Sequence, residues 1–277
     1  MVRGWNHTLN RTPVSGADMG ISKRMGDVLG QAVEAKLLKE VHEHPVKVTH
    51  LAIIMDGNRR FAWKSNLATG IGHRIGKQKL ETVLDWVLEV GIPWFTVYAL
   101  STENLTRPKK ELDILFKLYI EGLRDIADDQ RIHDNKVKVQ IIGKRELLPQ
   151  DVNDAIDYAE AKTADYDDYV FTICLAYGSR EEMLNAIQSI AAEHAAGDLE
   201  LDSIDEKAVS SRLYTGEMPD PDLVIRTSGE ERISNFLLWQ MAYSELYFSD
   251  VYWPSFQKKD LLKAVRTFQD RKRRYGE

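Results

Sequence analysis

Cysteine is nearly missing from this chain. Cys174 stands alone, which excludes an intrachain disulfide and any cysteine-built zinc cage. Its run, Phe171-Thr172-Ile173-Cys174-Leu175, reads as a buried hydrophobic stretch, and the pattern suits a reducing compartment. An excess of basic charge is missing too. With 37 Lys and Arg against 43 Asp and Glu, the formal charge of −6 argues against general nucleic-acid binding, which needs a cationic surface. No apolar run approaches the roughly 18 residues of a membrane span, and the polar start has no secretory signal core, so a cytoplasmic protein is expected. Repeats and low-complexity tracts are also absent. Motifs are missing as well: there is no GxxxxGK[ST], no GxSxG and no HExxH. Gly70-Ile71-Gly72-His73-Arg74-Ile75-Gly76 is wrongly spaced for a dinucleotide fingerprint and does not directly follow a strand.

What is present is the pattern of an ordinary globular chain of 277 residues, 43% of them apolar. Five short apolar runs stand out: His50 to Met55, Trp94 to Leu100, Val137 to Ile142, Val170 to Leu175 and Leu223 to Ile225. Glu245 to Phe248 is a weaker sixth. Most are near-continuously hydrophobic, as strands buried on both faces of a parallel sheet are, whereas Val137 to Ile142 alternates and is expected nearer an edge. Helical spacing fills the intervals. Leu80, Val83, Leu84, Val87 and Leu88 form a stripe closed by Gly91 and Pro93, and Leu112, Leu115, Phe116, Tyr119, Ile120 and Leu123 form a longer one. Strands alternating with helices predict right-handed βαβ crossovers in a single α/β domain, with a mainly parallel central sheet of about six strands wrapped by helices. Residues 1–45 read as a flexible leader and a docking helix stopped by Pro45, and 46–277 as the main folded domain.

In parallel sheets ligands bind beyond the carboxyl ends of the strands, which directs attention to Asp56, Ser101 and Arg226. Asp56-Gly57-Asn58-Arg59-Arg60 is a glycine turn leading toward a helix. Free backbone amides and two guanidinium groups there suit a diphosphate, and the carboxylate suits a magnesium ion. Alone, the segment reads equally well as a turn with solvated arginines. The second strand end, Ser101-Thr102-Glu103-Asn104 through Arg107, and the fifth, Arg226-Thr227-Ser228-Gly229-Glu230-Glu231-Arg232-Ile233-Ser234, tip the balance toward a site for more than one anion.

Together these segments resemble the cis-prenyltransferases, the undecaprenyl and dehydrodolichyl diphosphate synthases, in HLAIIMDGNRR, GHRIGKQKL, TVYALSTENLTRP, DLVIRTSGEERISNFLLWQMAYSELYFSDVYWP and the closing RRYGE. The resemblance spans roughly His50 to Gly276, with doubled arginines nearer archaeal and eukaryotic members. It implies an apolar tunnel and condensation of isopentenyl diphosphate with an allylic prenyl diphosphate. It also implies a homodimer and a peripheral membrane contact for product release. Asp56 and Glu245 would bind Mg2+; Arg226, Arg232 and Ser234 would bind isopentenyl diphosphate. Gly57, Asn58, Arg59, Arg60 and Arg107 would hold the allylic diphosphate, with Phe61, Thr102 and Glu103 beside them, and Asn58, His73, Ser101 and Asn104 would assist catalysis. Glu245 and Arg274-Tyr275-Gly276 are expected near a partner subunit.

Thr69 departs from the family pattern, which has an arginine there for the allylic diphosphate; Arg59 is expected to compensate. Phe61 and Leu105 replace common tryptophans, and Tyr169 is expected near the tunnel floor. Asp128 to Asp134 has the spacing of a trans-prenyltransferase aspartate motif but no second copy. Ile54 occupies the nucleophile position of a dehalogenase-type phosphatase. The alternative is a non-catalytic subunit of a heteromeric prenyltransferase.

Overall fold

β-Branched and aromatic residues dominate the five strongest apolar runs, and each of these runs forms a strand. The structure is a computed structural model that describes residues 16–216 and 218–272, with side chains described from residue 30 to 271. Its elements in order are α1 (Gly16–Glu43), β1 (His50–Ile54), α2 (Asn58–Lys64), α3 (Thr69–Val90), β2 (Trp94–Tyr98), α4 (Lys109–Asp128), α5 (Gln130–Asp134), β3 (Val137–Ile142), α6 (Gln150–Lys162), β4 (Tyr169–Cys174), α7 (Ser179–Ala196), α8 (Glu206–Ser210), β5 (Leu223–Arg226), β6 (Glu245–Phe248) and α9 (Lys258–Lys272). The six strands are all parallel, in the order β3-β4-β2-β1-β5-β6. The alternating run is indeed the edge strand β3, and the weak sixth run is the opposite edge, β6.

Alternation along the strands sends side chains to two apolar layers. Leu51, Ile53, Phe95, Val97, Phe171 and Ile225 join the larger core with α3, α4, α6 and α9. Ala52, Ile54, Tyr98, Cys174 and Val224 face a smaller cluster around Phe236, Leu237 and Met241. Cys174 is buried as expected. No described helix is long and apolar enough to cross a membrane.

The docking helix is longer than its sequence suggests, running back to Gly16. Glycine's helix cost of about 1 kcal/mol is a weak local preference, and Gly20, Gly26 and Gly30 do not stop it. Gln269 on α9 donates to the carbonyls of Val41 and Val46, fastening the end of α1 to the domain. The leader before Gly16 and the closing Arg274-Tyr275-Gly276 lie outside the described residues.

The chain steps from β1 to β2, β3 and β4 on one side, then crosses to β5 and β6 on the other. The crevice between the loops after β1 and β5 is thus the place where an open α/β sheet binds its ligand. At the opposite, amino end of β1, His50 is only 1% exposed. Its Nδ1 lies 2.6 Å from the Pro219 carbonyl and must donate there, so Nε2 accepts from the Thr96 hydroxyl at 2.8 Å. Burial pushes this imidazole down to about 4, which keeps it neutral. The unfolded chain therefore binds a proton that the native one refuses as pH falls from 6.5 to about 4. Stability should drop by about 3 kcal/mol across that window and level off below it. Urea unfolding across this pH range should show a shallower acid loss in His50→Gln. Equal slopes in the two proteins would refute the assignment.

Candidate functional site

Gly57 makes the first turn of the site possible. Its φ of 111° is left-handed, and a Cβ there would come within 2.9 Å of the Tyr252 ring. It caps α2 with no side-chain hydrogen bond, so the first amides of that helix are open to an anion. Gly72 and Gly76 on α3 pack against the backbone and side chain of Asn58. The glycine spacing that fails as a dinucleotide fingerprint therefore serves close helix packing. Across the crevice, Ser228, Ser234, Asn235 and Leu237 all have positive φ, a concentration of backbone strain in one loop.

These segments meet around Asp56. Arg226 donates from Nη2 to Asp56 Oδ2 at 2.8 Å, and Arg60 Nη2 lies 3.3 Å from the same oxygen. The other arm of Arg226 donates to Ser234 Oγ at 2.8 Å and to the Arg232 carbonyl. Thr227 fixes the turn by donating to the Asp56 carbonyl at 2.6 Å. Glu230 bridges Arg60, at 2.6 Å, to Arg232. On the far wall Glu111 Oε1 gathers Arg107 at 3.1 Å, His73 at 3.2 Å and Arg59 at 3.8 Å. Five arginines thus converge on three carboxylates, each shared among cations. Burial lowers the His73 pKa more than Glu111 raises it, so its Nε2 donates as a neutral imidazole. Sequence reasoning did not assign Glu111 and Glu230 as site residues, although Glu111 stands four residues after Arg107, the spacing of a helical ion pair.

Arg59, Arg60, Arg107 and Arg232 line a cavity of about 770 Å³ whose other walls are largely apolar, with Leu80 from α3, Leu115, Leu118, Leu123 and Ile126 from α4, and Ile173 and Leu175 from the sheet. Three buried side-chain atoms beside the rim have no hydrogen-bond partner: Asn58 Oδ1, Arg226 Nε and Ser228 Oγ. Unsatisfied buried polar atoms are rare, and their grouping here marks a ligand's place. Cationic side chains and apolar side chains thus share one cavity. Such a cavity fits an amphiphile with a phosphorylated head.

The profile of the undecaprenyl diphosphate synthase family matches residues 54–276. The chain is 49% identical over 267 residues to a tritrans,polycis-undecaprenyl-diphosphate synthase (geranylgeranyl-diphosphate specific) of Methanopyrus kandleri, covering 93% of this chain and 98% of that one. This protein is a cis-prenyltransferase. A Thermoplasma volcanium synthase of the same description is 46% identical, covering 93% of the cis-prenyltransferase and all of its relative. Lavandulyl diphosphate synthase from Lavandula x intermedia, solved with dimethylallyl diphosphate, superposes with a TM-score of 0.77 at 34% identity, over 83% and 96% of the two chains. The transferase activity and the single-domain α/β fold agree with this membership.

Not every expected site residue converges. Ser101, Thr102, Glu103 and Asn104 stand off the cavity wall: Ser101 Oγ accepts from Asn104, and Glu103 accepts from Asn235 at 3.1 Å, beside Ser234. Phe61 is half-buried away from the cavity. Trp63, two residues on, takes the rim because α2 turns the other face inward. Tyr169 opens β4 and packs in the core; it does not reach the cavity. Asp128 to Asp134 is a capped helix junction, with Asp129 accepting from the Arg131 amide.

The expected pairing of Asp56 with Glu245 does not form within the chain. Glu245 pairs with Leu223 at the amino end of the strands, roughly 10 Å along the sheet from the Arg226 level, and binds Arg271 at 2.9 Å. Asp56 by itself still suits magnesium. One carboxylate oxygen is held by arginines, while Oδ1 accepts no hydrogen bond from the described residues and its side chain remains partly open on the cavity wall. Magnesium commonly takes one or two carboxylates and completes its shell with substrate phosphates and water.

Proposed function

We propose that this cis-prenyltransferase extends geranylgeranyl diphosphate with isopentenyl diphosphate into a long (Z)-polyprenyl diphosphate for lipid-carrier synthesis. The observation that carries the reading is that Asp56, Arg60 and Arg232 line a cavity with largely apolar walls, while Arg226 braces Asp56 and the Arg232 carbonyl and bonds Ser234 behind them. The primer preference is taken from the archaeal relatives' descriptions. A non-catalytic subunit would have no use for that charged constellation.

Arg226, Arg232 and Ser234 hold the isopentenyl diphosphate. The open amides of α2, with Arg59, Arg60 and Arg107, hold the allylic diphosphate, its prenyl tail lying in the apolar end. The guanidinium groups stabilise charge as the allylic C–O bond breaks and diphosphate leaves. The isopentenyl double bond then attacks the allylic carbon, and a proton is lost to form the cis alkene. Asn58, His73, Ser101 and Asn104 assist ionisation and proton removal, and Thr102 and Glu103 buttress the strand end. Bound magnesium, held by Asp56, would neutralise diphosphate oxygens.

Glu245 contributes across a homodimer interface. The reading is supported by the outer edge of β6, which pairs with no other strand among the described residues, and by Tyr243, 92% exposed, just before that strand and exposed Phe248 at its end. Exposed Trp63, Ile71 and Ile114 near the cavity rim suit a peripheral lipid contact in a cytoplasmic enzyme.

The test incubates purified protein with Mg2+, labelled isopentenyl diphosphate and geranyl, farnesyl or geranylgeranyl diphosphate, then sizes the products. Geranylgeranyl diphosphate should give the highest kcat/KM. No incorporation with any primer until a second protein is added would favour the subunit reading. In the same assay Arg59→Ala should raise the allylic KM about tenfold, as losing one charged hydrogen bond would. Arg59 lies on the cavity wall with Thr69, where the family arginine is missing. An unchanged KM removes Arg59 from the site.

A further inference from the structure

Two charged side chains stand in the cavity wall beyond the arginine rim. Lys77 and Glu81 follow His73 at one-turn intervals along α3, among Leu80, Leu118, Leu123 and Ile126, and the chemistry described above uses neither. A charge in an apolar wall is costly unless paired. Lys77 is paired twice, at 2.9 Å to Glu81 Oε1 and at 2.5 Å to Asp125 Oδ2 on α4. The Lys77 side chain is only 19% exposed, while that of Asp125 is 61% exposed. The lysine therefore starts in the tunnel wall on one helix and ends at the outer surface of the next.

Its path crosses α4 at Gly122, where a Cβ would stand 3.2 Å from Lys77 Cε. Glycine weakens a helix interior, and here it leaves room for the lysine stem to lie in the seam between the helices. Burial lowers the ammonium's pKa, and the hydrogen bonds to Asp125 and Glu81 more than offset this, so it stays charged at neutral pH. A second tie, Arg74 to Glu121 at 3.9 Å, joins the same helices but lies in solvent.

We infer that Lys77, clamped by Asp125 and Glu81, is a latch across the α3–α4 seam that closes the side of the prenyl tunnel and sets where chain growth stops. The inference rests on reading the cavity as that tunnel. With the seam shut, a growing chain is confined between α3, α4 and the sheet, and close-packed walls resist extra volume. With the seam loosened, further isoprene units gain an apolar path between the helices.

Three variants test it: Asp125→Ala removes the outer anchor, Lys77→Met keeps the stem without the ammonium, and Lys77→Ala removes both. Each is assayed for first-condensation rate, primer KM and product length. All three should lengthen the main product by at least one isoprene unit, Lys77→Ala most, with the first condensation within about twofold of wild type. Unchanged product ladders overturn the latch. So does lengthening by Lys77→Ala alone, because stem volume would then suffice without the clamp. Asp125 is exposed, so its variant should fold whatever the lysine variants do. First condensation in the wild type tests the substrate reading separately: if it fails there, the function is wrong; if it proceeds while the ladders stay fixed, only the latch is.

Discussion

Asp56→Asn should lower kcat by roughly 10³-fold with both substrates saturating, the scale on which preorganised charge at a reacting centre acts. The amide keeps the shape of the carboxylate but not its charge. In the native site that charge orients Arg226 at 2.8 Å and Arg60 at 3.3 Å, and it leaves one oxygen open on the cavity wall for a cation. Asparagine can accept from one arginine but cannot balance two, and it is a poor magnesium ligand. The variant should retain the wild-type circular dichroism spectrum, because Arg226 keeps its bonds to Ser234 and the Arg232 carbonyl. The loss should appear mainly in kcat. A fall of less than tenfold in a folded variant would make Asp56 an ordinary turn residue.

Arg226→Lys is the second large effect, although charge is conserved. Arg226 is 4% exposed and uses its planar fork to reach Asp56 with one nitrogen while the other reaches Ser234 and the Arg232 carbonyl, with Nε left unpartnered. Lysine is a point donor on a flexible stem and cannot span those partners. Truncating a buried hydrogen-bonded charge pair costs about 2–5 kcal/mol, so kcat/KM for isopentenyl diphosphate should fall on the order of 10²–10³-fold. The allylic KM should change far less, because Arg59 and Arg107 lie on the other wall, held by Glu111. Equal rises in both KM values would mean that Arg226 serves the architecture of the mouth rather than one diphosphate.

Much of the fold was legible because burial leaves a local signature. Runs apolar on both faces became the inner strands, and the alternating Val137 to Ile142 became edge strand β3, with Lys138 and Gln140 on its less buried side. The strand-end rule led to Asp56 and Arg226 before any contact was known, because a parallel sheet aligns all its carboxyl ends on one side. Other features were not legible for equally physical reasons. Phe61 and Trp63 differ only in which face of a short helix turns inward. Glu111 lies in another helix from His73 and Arg59, so its bridging depends on how α3 and α4 pack. Lys77 and Gly122 are unremarkable in their own segments and become a matched pair only when the two helices meet.

Glu245 marks the division most sharply. The sequence alone determined that a carboxylate follows the serine of an apolar stretch and that a chain carrying these five motifs is a cis-prenyltransferase, because residue types and their order along the chain carry that information. Only the tertiary structure decided that Glu245 opens β6 beside Arg271, at the far end of the sheet from Asp56, because strand register is set by long-range pairing. The same long-range packing decided which arginines share each carboxylate and which side chains wall the cavity. Distance in space, unlike chemistry along the chain, had to wait for the helices to settle on the sheet.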